Sequence, residues 1–115
     1  MKKAFLTILF LFLSSTTMAA ENLDVSWQVF ADCAAGYVGN WKSRQADPER
    51  GPEMSAVILE IAADYEAAAL KAMGGAEAAA KTIRAYIEAN TDRFVTMDKA
   101  GELNRFLEEC PQPYD

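Results

Sequence analysis

The chain has 115 residues, with 11 basic and 17 acidic side chains, two cysteines and no histidine. An acidic balance excludes the phosphate-neutralising surface that nucleic-acid binding requires, and equally a basic amphipathic helix on anionic lipid. Without histidine there is no imidazole general base, no serine–histidine pair and no histidine ligand for a metal.

The first twenty residues have the three parts of a secretory signal peptide. Lys2 and Lys3 form a positive start, Ala4 to Leu13 an apolar run, and Ser14 to Ala20 a small-residue exit. The run is about half the ~20 residues needed to span a bilayer as a helix. Cleavage is expected after Ala20, with Ala19 as the alternative. Cys33 follows Val-Phe-Ala-Asp, which is no lipobox, so no lipid anchor is expected. The mature chain, residues 21–115, then has about 95 residues, the size of one domain. It carries 9 basic against 17 acidic side chains, a net charge of −8 once Lys2 and Lys3 are removed. Solubility and long-range repulsion account for that charge without any partner.

Four apolar-periodic segments follow, none with the alternation of a strand. In the first, from about Asp24 to Trp41, Phe30, Cys33, Tyr37 and Trp41 recur at helical spacing, widened by Trp27, Ala34 and Val38. Asp24 is the expected N-cap. Gly36 and Gly39 lower helix propensity by about 1 kcal/mol each relative to Ala. Between flanking aromatics they favour close helix approach over a helix end at Gly39-Asn40.

Ser43 to Pro52 reads as a linker, and Pro52 suits the first turn of a second helix. That helix runs to about Met73 with Met54, Val57, Ile58, Ile61, Tyr65, Ala68 and Ala72 as its stripe, until Gly74-Gly75 reverses the chain. The alanine-rich stretch Glu66 to Lys81 is read as two good helix formers around that turn. A third helix starts near Ala76 with Ala79, Ile83, Tyr86, Ile87 and Phe94 on one face. Asn90-Thr91-Asp92 is a candidate break, with Thr91 able to cap a new start. The last helix begins after Thr96 or Asp98 and presents Leu103, Phe106, Leu107 and Cys110. Pro111 and Pro113 end it and leave a short tail, residues 111–115.

The expected fold is therefore all-α: a small bundle of about four helices. Cys33 and Cys110 lie on the apolar stripes of the first and last, and in an oxidising compartment such a pair is a disulfide. A redox-active pair would take Cys-x-x-Cys spacing, which is absent. Two separated cysteines do not make a zinc site, and no Asp-rich calcium loop is present. Neither metal nor cofactor is expected.

Ser26, Ser43 and Ser55 lie in no nucleophile elbow. Glu60 and Asp64, one helical turn apart with Glu49 or Glu53 nearby, have the composition of a glycosidase pair, but this spacing on a helix is ordinarily a solvated face. No catalytic residue and no enzyme is expected. Trp27, Tyr37, Trp41 and Tyr65 suit a core, a ligand pocket or an interface. The segment Tyr37 to Trp41, next to the linker, is the choice for partner binding.

The signal segment, Cys33-Ala34-Ala35-Gly36-Tyr37-Val38-Gly39, the alanine-rich middle and Phe106-Leu107-Glu108-Glu109-Cys110 resemble a broad class. These are small exported one-disulfide helical proteins of Gram-negative bacteria, mostly of unknown function. The same first-helix cysteine with Gly-Tyr and a second glycine, the last-helix cysteine and Tyr86-Ile87-Glu88-Ala89-Asn90 are similar in part to type VI secretion immunity proteins of the Tai kind. The chain departs from these in lacking further cysteines and in its long second helix. Size, helices and one disulfide are also similar to acid-stress periplasmic chaperones of the Hde type, with a wider cysteine separation. The signal segment, the absence of a catalytic motif and the cysteine pair, taken with these resemblances, lead to the expectation of a non-enzymatic periplasmic protein. Its expected action is through contacts with a protein partner in the cell envelope. Toxin immunity and stress chaperoning are the alternatives, and secretion from the cell is the alternative location.

Overall fold

A computed structural model describes residues 26–50 and 55–113. The expected signal segment, Asp24, Pro52 and Met54 lie outside them. The described residues form four helices: α1 Trp27–Gln45, α2 Ser55–Ala72, α3 Glu77–Lys99 and α4 Leu103–Glu108. They make an all-α bundle in which α1 is central and touches each of the other three. No helix among the described residues is long and apolar enough to cross a membrane.

Position at the centre decides what α1 buries. Ala31, Cys33, Ala34, Ala35, Gly36 and Gly39 are buried, whereas Trp27, Phe30, Tyr37, Val38 and Trp41 are half-buried. The expected aromatic stripe is thus only part of the packing surface. α2 and α3 both lie against α1, and small side chains let the backbones approach. The two glycines measure that closeness. A Cβ on Gly39 would lie 2.7 Å from the Cβ of Phe94 and 3.1 Å from backbone atoms of Phe94 and Val95 on α3. A Cβ on Gly36 would lie 2.9 Å from the tip of Leu107. Close packing, not a helix end, is their role.

The N-cap of α1 is Ser26, whose Oγ accepts from the Gln28 amide at 3.1 Å. At its other end α1 runs four residues past Trp41 and takes in the first part of the expected linker, so Ser43 is buried helix. The remainder, residues 46–50, turns on itself: the Arg50 amide donates to the Asp47 carbonyl and the Glu49 amide to the Asp47 side chain.

In α2 the buried residues are Ile58, Ala62, Tyr65, Ala68 and Ala69, while Val57 and Ala72 are exposed. Ile58, Tyr65 and Ala68 of the expected stripe are buried, and Ala62 and Ala69 join them in place of Val57 and Ala72, which rotates the stripe slightly. Gly74 (φ +96°) and Gly75 (φ +83°) then end the helix. The Gly75 amide reaches the Leu70 carbonyl and the Gly74 amide that of Lys71, which satisfies two carbonyls left open at the helix end.

α3 is continuous through Asn90-Thr91-Asp92, contrary to the expected break. Thr91 is buried and its hydroxyl donates to the Ile87 carbonyl one turn back at 2.7 Å, so it serves the helix interior instead of capping a new one. The helix stops at Lys99. Gly101 (φ +78°) makes the reversal, with the Glu102 amide on the Met97 carbonyl. The last helix is correspondingly short. It ends at Glu108, so Cys110 lies just beyond it, not within it.

Candidate functional site

Two regions carry the residues singled out from the sequence. The first is the bridge. Cys33 and Cys110 form a disulfide across a sequence separation of 77, with Cα atoms 6.1 Å apart, joining the first and last helical regions. Cys33 is buried to 2 % exposure and Cys110 is half-buried. Beside the bridge lies a groove of about 210 Å³ whose walls include Val29, Asp32, Phe106, Glu109 and Pro111. The tail packs here too: the Tyr65 hydroxyl donates to the Pro111 carbonyl at 2.6 Å, tying residue 111 to α2.

Tyr37 and Trp41, the second region, lie on α1 and are both half-buried, yet their surroundings differ. The Tyr37 ring stacks on Tyr65 with centroids 5.8 Å apart, and burial pushes its phenol above the ordinary range. Phe30 flanks the same Tyr65 at 6.3 Å. Tyr37 is therefore a core-edge residue. Trp41 pairs with no other ring among the described residues. Trp27, by contrast, meets Tyr86 edge-on at 5.2 Å.

The sequence reading missed a polar cluster that includes Asn40, the residue before Trp41. Asp98, at the end of α3, has a side chain only 8 % exposed. It pairs with the Arg50 guanidinium at 2.5 Å and accepts from Asn40 of α1 at 3.4 Å. Arg50 also donates to Ser43, and Arg44 to Asn40. Burial pushes the Asp98 carboxyl up, but hydrogen bonds from Arg50, Ser43 and Asn40 and the guanidinium charge outweigh it, so the net shift is downward. Nothing in local spacing signals this cluster, because Asp98 is 48 residues from Arg50 and 58 from Asn40. A second such set is more exposed. The Tyr86 hydroxyl and Arg93 both donate to Asp32, at 2.8 and 3.1 Å, and burial, then Asp32, raises the Tyr86 phenol.

Glu60 and Asp64 are both exposed on α2. A shallow groove of about 260 Å³ lies between Val38, Ile87 and Thr91, rimmed by Lys42, Glu88 and the Arg84–Glu66 pair. No group of three or more Cys, Asp or Glu among the described residues is arranged to hold a metal. No protein-family model, curated protein or solved structure matches the chain.

Proposed function

We propose that this chain is a non-enzymatic, exported, periplasmic protein that acts through contacts with another protein, made at the α1 end that carries Tyr37 and Trp41. The observation that carries this reading is the contrast between the two aromatics. Tyr37 is anchored in the ring cluster, whereas Trp41 is half-buried, pairs with no ring among the described residues, and follows Asn40, a member of the Asp98 cluster, on α1. A partly uncovered tryptophan is the kind of side chain that dominates interface energies once a partner buries it. Export is supported by residues 1–20 and by the disulfide, which is compatible with an oxidising compartment.

The test is a photo-crosslinking amino acid at position 41 in cells that export the chain, with the same label at exposed Ala63 of α2 as control. The expected result is one specific adduct from position 41, lost from position 63, on a chain that has lost residues 1–20. A secreted toxin as the adduct would assign the immunity reading, and a spectrum of unfolded clients the chaperone reading. A full-length cytosolic chain, or no adduct from position 41, refutes the proposal.

A further inference from the structure

The last eleven described residues hang from the bundle by few attachments. After Gly101, which is exposed and has φ +78°, come the six residues of α4 and the segment 109–113. Six residues are far below the ~12–15 that an isolated helix needs to persist in water, so α4 is ordered only by what it docks on. Its docking is apolar. Leu103 is buried, the Phe106 ring lies 4.9 Å from that of Phe94, and Phe106 and Leu107 sit over Gly36. Beyond α4 the ties seen among the described residues include the Tyr65–Pro111 hydrogen bond and the Cys33–Cys110 bridge. Only the bridge is covalent.

The bridge is also approachable from one side. Cys33 is enclosed, while Cys110 is half-exposed and both cysteines line the 210 Å³ groove. We propose that residues 101–113 form a redox-held clasp: a dithiol reductant that opens Cys33–Cys110 releases α4 and the proline segment about Gly101 and uncovers the α1–α3 seam at Gly36 and Phe94.

In the reaction one thiolate of the dithiol attacks the Cys110 Sγ. The S–S bond breaks and Cys33 leaves as a thiolate that takes up a proton. The second thiol of the reductant, as thiolate, then displaces Cys110 from the mixed disulfide. The reductant departs as its own disulfide, and Cys33 and Cys110 are both thiols, a two-electron reduction of the protein. The seam left open is apolar and floored by glycine. This goes beyond the contact proposal and does not depend on it, since the clasp lies on the disulfide side of α1 and its test involves no partner.

The test is hydrogen exchange followed by mass spectrometry on the full chain, oxidised and reduced with dithiothreitol. The Cys110→Ser variant kept in reductant opens the bridge by a second route. In both open forms the amides of 103–113 are expected to exchange at close to the unstructured rate, a loss of about tenfold or more, while α1, α2 and α3 stay protected, to the lower level that the reduced global stability sets. A hydrophobic dye should gain fluorescence in parallel. Unchanged protection at 103–113 would show that docking alone holds the segment. Complete loss of protection in α1, α2 and α3 as well would show that the bridge holds the whole fold. Either result overturns the clasp.

Discussion

Gly36 and Gly39 are three residues apart on one helix, yet they do different things. Each lowers helix propensity by about 1 kcal/mol relative to Ala, so each must be retained for space. At Gly39 the neighbours of an added methyl are the Cβ and backbone of Phe94 and the backbone of Val95, which move only if α3 moves. At Gly36 they are the ends of the Leu107 and Phe106 side chains, which can swing. Overpacking of a rigid site costs about 1–3 kcal/mol, and the propensity gain offsets part of it. Gly39→Ala should therefore destabilise the oxidised protein by about 1–2 kcal/mol, while Gly36→Ala stays within about 1 kcal/mol of the parent. Urea unfolding of both variants checks this, and equal midpoints would remove the close-approach account of Gly39.

The elements are held to one another by polar ties that their own sequences do not announce. Asp98 connects the end of α3 to the turn after α1 through Arg50 and to α1 itself through Asn40 and Ser43. Its carboxyl is held below the ordinary Asp value of about 3.9, so the native state favours the charged form. A depressed folded pKa contributes stability that is fully present above the unfolded value and is lost as pH falls through the folded one. The stability difference between the parent and Asp98→Asn should then be constant from pH 7 to about 5, and shrink as acidification proceeds below about pH 4. Urea midpoints of both proteins across that range test it. A difference that persists undiminished at pH 2 would mean that the Asp98 charge is not what links these elements.

This cluster also shows why some elements were readable and others were not. Helical periodicity carried the four helices, and Gly74-Gly75 marked its own turn because only positive φ closes it. Gly101 carries the same kind of signal but was passed over. The last helix is expected after Thr96 or Asp98, whereas α3 runs on to Lys99 and α4 starts at Leu103, beyond this glycine. The extension of α1 to Gln45 was hidden, since Ser43 and Arg44 look like linker residues until Arg50 is brought to Ser43 and Arg44 bonds back to Asn40. Thr91 was misread for a related reason. Its capping chemistry is intrinsic, but burial turned the hydroxyl back onto Ile87. Of the two aromatics chosen for partner binding, the pattern could not separate Tyr37, stacked on Tyr65, from Trp41, because the difference lies in α2.

At the scale of the molecule one covalent bond sets the balance. A domain of this size has a modest core, and here much of it is alanine. Closing a loop of 77 residues removes unfolded-state entropy worth about 4.5 kcal/mol in the chain-entropy model, against a total of about 5–15 kcal/mol for a native domain. The loop is closed in the native fold only through the segment 103–113, so the bond also sets how much of the chain takes part in the cooperative transition. Two consequences follow for urea unfolding of the oxidised and reduced forms. The midpoint of the reduced protein should fall by the equivalent of about 4 kcal/mol. If the clasp is already released before the core melts, the unfolding slope must change too. The reduced native state then has less surface left to expose, which lowers the slope, while its unfolded state, freed of the cross-link, is more open, which raises it. The two effects separate in a truncated chain ending at residue 102. It lacks the segment altogether and should unfold with the same midpoint and slope as the reduced full chain. A reduced protein more stable than that truncation would show α4 still docked and contributing without the bridge.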